Sequence, residues 1–143
     1  MPHEILTAPL ASDALEAELA FVVAHFQSLG VERCTVLFGF AWGERFPEPG
    51  WTALDLSLDA LITEVARAEA AGFGELGSDD LFITFPSQGL EFRFCNDSDI
   101  HLTFTDPTAA AEVFFQRWAA LGYSPAEWGP SSPGQPRQRL RPA

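Results

Sequence analysis

One stretch, 81–105, limits the fold more than any other. In its second half Leu90, Phe92 and Phe94, then Ile100, Leu102 and Phe104, alternate with Glu91, Arg93, Cys95, Asp99, His101 and Thr103. A period of two sends successive side chains to opposite faces of a strand, so these runs have one apolar face and one polar face. A third apolar run, 81–85, comes just before them. The connections Pro86-Ser87-Gln88-Gly89 and Asn96-Asp97-Ser98 are short and polar, the kind that joins antiparallel neighbours. The expectation is an antiparallel meander with a core on one side.

The flanking segments supply the layer that covers the apolar face. Leu15, Leu19, Val22, Val23 and Phe26 recur at helical spacing and predict a helix over 12–29. Ser12 reads as its cap, Glu16 and Glu18 suit the dipole of its first turns, and Gly30 ends it. Cys34, Val36, Phe38 and Phe40 alternate with Thr35, Leu37 and Gly39 and predict a strand over 33–40. Two prolines and two glycines exclude regular structure from the loop 41–51. Leu58, Leu61, Ile62 and Val65 predict a second helix over 55–71. A third opens at Asp106-Pro107, buries Val113, Phe114, Trp118 and Leu121, and closes at Gly122.

The expected fold is therefore α+β, in the order α-β-α-β-β-β-α. About four strands form one mainly antiparallel sheet, with helices packed on one face. A single globular domain is expected over 1–128. Residues 129–143, rich in Pro, Ser, Gln and Arg, are expected to form a flexible tail.

Charge narrows the choice of partner. Twenty acids face eight bases, all of them Arg, for a net charge of −12. Arg137, Arg139 and Arg141 lie in 129–143 with no acid, so residues 1–128 hold 20 acids against 5 arginines, a net of −15. Such a body repels nucleic acid and anionic membranes and favours a protein partner with a basic surface. No apolar run of about 18 residues occurs, and the first residues lack the pattern of a signal peptide. A cytoplasmic location, with Cys34 and Cys95 as free thiols, is the expectation.

No GxGxxG, Walker A, GxSxG, HExxH or CxxC motif occurs. In the polar run 95–101, Asp99 and His101 share a strand face but give only two convergent ligands, where a catalytic metal needs three. Asn96, Asp97 and Ser98 are what a turn requires. Adjacent acids at Asp79 and Asp80 read as loop residues. No catalytic residue, cofactor or metal is expected. Two surfaces are candidates for partner binding. One is the loop bearing Trp42, Glu44, Phe46, Glu48 and Trp51, which offers rings and carboxylates together. The other is the polar meander face bearing Glu91, Arg93 and His101, with Asp79 and Asp80 adding negative charge.

In size, acidity and α+β make-up the chain resembles the small cytoplasmic immunity proteins that protect bacteria from their own secreted polymorphic toxins. The resemblance implies binding to a cognate toxin or effector and occlusion of its active site. It transfers no functional residue. A secretion chaperone or adaptor, binding an effector segment and compatible with a homodimer, is the alternative. A small enzyme with an unrecognised site is the third reading.

Overall fold

A computed structural model describes residues 2–39, 42, 53–130 and 134–141. The fold is α+β, and its strands form one sheet. The strands are β1 (His3–Leu6), β2 (Arg33–Phe38), β3 (Leu54–Ser57), β4 (Leu81–Phe85), β5 (Leu90–Phe94), β6 (Ile100–Phe104), β7 (Ala126–Gly129) and β8 (Gln138–Arg141). The helices are α1 (Ser12–Ser28), α2 (Leu61–Ala70) and α3 (Ala109–Ala120) among the described residues. The sheet order is β3-β2-β4-β5-β6-β1-β7-β8, and every pairing is antiparallel.

Eight strands replace the four or so that the alternation predicts. The meander β4-β5-β6 and strand β2 lie where expected, because they carry their own apolar periodicity. The four additional strands are each four residues long, and β1, β7 and β8 are too short to show a period. Their hydrogen bonds come from neighbours already in place. β1 is inserted between β6 and β7, well away from its sequence neighbours in the sheet. β3 occupies the expected start of the second helix. There Leu54, Leu56 and Leu58 alternate with Asp55, Ser57 and Asp59, and this period of two prevails up to the 3₁₀ turn Leu58–Ala60. β8 lies within the segment whose composition reads as a tail.

Two helix starts also differ from expectation. Ser12 is the first residue of α1 and does not cap it with its side chain. α3 begins after Asp106-Pro107, with Thr108 as its cap: the Thr108 hydroxyl oxygen accepts the Ala111 N–H at 3.0 Å.

The core lies between one sheet face and the helices. Phe26 of α1 stacks on Phe85 of β4, with ring centroids 4.0 Å apart, and Phe114 of α3 meets Phe92 of β5 edge-on at 4.8 Å. Such pairs contribute roughly 0.5–1.5 kcal/mol each beyond their burial. Leu61, Val65 and Ala68 of α2 join the same cluster. Among the described residues no helix packs on the opposite face of the sheet. Strand register arranges that face in two cross-strand rows. One row runs Asp55, Thr35, Thr84, Glu91, Thr103, Glu4, Trp128 and Arg139, one residue from each of the eight strands. The other runs Leu37, Phe82, Arg93, His101, Leu6 and Ala126.

Candidate functional site

Glu4, Arg93 and Asp99 converge on His101 on the helix-free face. Leu6 and Arg93 are its register partners in β1 and β5. Its Nδ1 lies 3.1 Å from Glu4 Oε1, and its Nε2 lies 3.2 Å from Asp99 Oδ2. Arg93 Nη2 is 3.5 Å from both ring nitrogens. Glu4 Oε2 is 3.7 Å from Arg137 Nη1.

Local sequence explains this geometry. Asp99 and His101 are two residues apart, so they share a face. Across the turn, Cys95 N–H donates to the Asp99 carbonyl at 2.9 Å and Ser98 N–H donates to the Cys95 carbonyl at 3.0 Å, which places Cys95 opposite Asp99. Ser98 adopts φ 66°, the left-handed conformation that closes the turn, and its hydroxyl donates to the Gly77 carbonyl at 3.0 Å. Glu4 reaches the cluster because β1 is locked to β6. Buried Thr7 accepts the Ile100 N–H on its hydroxyl oxygen at 3.0 Å, and its own N–H donates to the Ile100 carbonyl.

The site is half-sheltered, and its protonation states follow from that. The hydrogen bond from His101 holds the Glu4 carboxyl below the usual carboxylate range, against the opposing effect of burial. Burial pushes the Cys95 thiol up. It therefore remains a thiol at neutral pH, a poor nucleophile by itself. Cys34, in the core, is pushed up to about 11, chiefly by burial. Asp99 Oδ1, Arg93 Nε and Arg137 Nε are buried with no hydrogen-bond partner among the described residues.

The structure brings Glu91, Arg93 and His101 onto one face, Glu91 in one row and Arg93 and His101 in the other. Glu91 Oε2 accepts the Thr84 hydroxyl at 3.2 Å. Asp79 and Asp80 hold loops, Asp80 at the turn that carries Cys95. Asp79 Oδ2 accepts the Glu75 N–H and Asp80 Oδ1 accepts the Asn96 N–H, each at 2.8 Å. Trp42 presents no ring to solvent. It is fully buried, 5.0 Å from Phe38 between ring centroids, and is a core residue. Glu44, Phe46, Glu48 and Trp51 lie outside the described residues.

Sequence reasoning missed Glu4 and Arg137 as members of the cluster. His3–Leu6 is too short to read as a strand, and Arg137 belongs to a segment without periodicity. Cys95 was legible, since the alternation already places it on the face of Asp99 and His101. No protein-family model, curated protein or solved structure matches the chain.

Proposed function

We propose that this chain is a protein-binding module that receives its partner on the helix-free face of the sheet, and that it serves as an immunity protein occluding the active site of a toxin. The observation that carries this reading is the row with one residue from each of the eight strands, polar except at Trp128. At a strand spacing of about 4.8 Å such a row extends roughly 33 Å. That width accommodates a standard interface of about 800 Å² per partner. A sheet face is rigid before binding, so little ordering entropy is lost on association. The net charge of −12 adds a long-range pull on a basic partner and speeds encounter.

The test uses the full chain, in its native host, as wild type and as a variant carrying Glu91→Arg and Arg93→Glu. Cross-linking and mass spectrometry should capture one partner with wild type, with cross-links at the ends of β5 and β6. The double variant, folded by circular dichroism, should lose it. Expression of that partner alone should arrest growth, and co-expression of this chain should restore it. Equal capture by both forms would remove this face from the reading. Harmlessness of the partner would remove the immunity role.

A further inference from the structure

We infer that Cys95, Asp99 and His101 form a binding site for a divalent transition-metal ion, Zn²⁺ foremost, with Glu4 as the carboxylate that orients the histidine. The ligand atoms of the three residues lie within 4.8 Å of one another. A tetrahedral Zn²⁺ with its usual bond lengths places sulfur and nitrogen ligands about 3.5 Å apart. Closing the site therefore draws the ligand atoms together by about 1 Å. Thiolate, imidazole and carboxylate are the ligand types that Zn²⁺ accepts, and three protein ligands leave a fourth position for water.

The orientation of His101 is the independent observation. With Glu4 Oε1 3.1 Å from Nδ1, the neutral imidazole that a metal ion requires keeps its proton on Nδ1 and donates it to Glu4 as a hydrogen bond. The Nε2 lone pair then faces Asp99 Oδ2 at 3.2 Å. Two acceptors at that separation repel unless a proton or a metal ion lies between them. A carboxylate on one ring nitrogen with the other directed at further ligands is the usual outer arrangement of zinc-bound histidine. Asp99 also has a buried oxygen, Oδ1, with no hydrogen-bond partner among the described residues.

Charge agrees with this assignment. Arg93 and Arg137 stand near the cluster and oppose a further cation. Against them are Glu4, Asp99 and, after ion binding expels its proton to solvent, the Cys95 thiolate. Asp99 and the thiolate neutralise the two charges of the ion, and Glu4 offsets one of the two guanidiniums. Two ligands come from one strand face and one from across its turn.

The probe is Co²⁺, titrated into the reduced full-length chain. One ion per chain should bind, giving thiolate-to-cobalt charge-transfer absorption in the near ultraviolet and intense visible d–d bands of a tetrahedral site. Stoichiometric Zn²⁺ should bleach both. Cys95→Ser should abolish the charge-transfer band, while Cys34→Ser keeps it. Glu4→Gln, which alters no ligand, should weaken Zn²⁺ binding by about 10–100-fold. Circular dichroism establishes that each variant is folded. Absence of the bands at millimolar Co²⁺ would overturn the site. Persistence of the charge-transfer band in Cys95→Ser would overturn it equally.

Discussion

Glu18 of α1 and Arg117 of α3 form a buried ion pair that ties two helices together. Arg117 Nε lies 3.1 and 3.2 Å from the two carboxylate oxygens of Glu18, and Nη2 lies 2.9 Å from Oε1. Trp118 Nε1 donates to Oε2 at 3.0 Å, and Glu18 is 1% exposed. The sequence places this acid near a helix N-terminus and reads it as a dipole partner. The structure gives it three donors on another helix instead. Removing one member of a buried pair leaves the other uncompensated, at a cost of about 3–5 kcal/mol. Arg117 is partly exposed, so solvent offsets some of that loss. Glu18→Ala should lower unfolding free energy by about 3 kcal/mol in urea titration. Glu18→Gln, which keeps an acceptor for Trp118, should lose less. Equal losses would assign the whole effect to the carboxylate charge.

Gly74 and Trp42 make the tightest contact at a glycine among the described residues. A Cβ built on Gly74 would sit 2.4 Å from Trp42 Cδ2. The indole is fully buried and has no room to yield. Gly74→Ala should therefore destabilise by about 1–3 kcal/mol through overpacking, visible as a lower thermal midpoint. Trp42→Ala should cost more, about 3–5 kcal/mol. In the double variant the alanine enters the space that the ring vacates. Its loss should fall below the sum of the two single losses, and strict additivity would deny the contact.

Arg141 anchors the edge strand β8. Its guanidinium bonds both Glu112 oxygens, at 3.1 and 3.0 Å, and Glu127 of β7, and lies 3.5 Å over the Phe115 ring. Arg141→Ala removes all of these at once. Amide exchange at Gln138–Arg141 should then rise to the rate of an unprotected chain. Amides of β4, β5 and β6 should keep their protection, because local opening at an edge is uncoupled from the core. Unchanged exchange at β8 would show that pairing with β7 alone holds it.

These contacts explain which parts of the fold the sequence makes legible. β4, β5 and β6 carry alternating Leu, Ile and Phe, a signal stored within each strand. β1 and β8 contain one large apolar core residue at most and are strands because Thr7 and Arg141 tie them to partners far away in sequence. The candidate site follows the same division. Arg93, Asp99, His101 and Cys95 share a face by alternation alone. Glu4 and Arg137 arrive through strand pairings that local periodicity does not encode.

His25 of α1 should make stability depend on pH. Its ring lies against Phe21, Phe26 and Phe114, with centroids 5.8, 5.3 and 5.5 Å away. Its Nε2 is buried with no hydrogen-bond partner among the described residues. Arg117, over the Phe21 ring at 3.9 Å, is a cation close by. Burial lowers the histidine below its ordinary 6.5. With a folded pKa below the unfolded one, the unfolded chain binds more protons between the two values, and stability falls as pH drops through that window. Above 6.5 the contribution is complete, and below the folded value it is lost and flat. His25→Phe should abolish this slope in urea titrations at a series of pH values. It should leave the later loss at lower pH, where Glu4, whose pKa is also lowered, takes up its proton. A slope that persists in His25→Phe would assign the titration to another group.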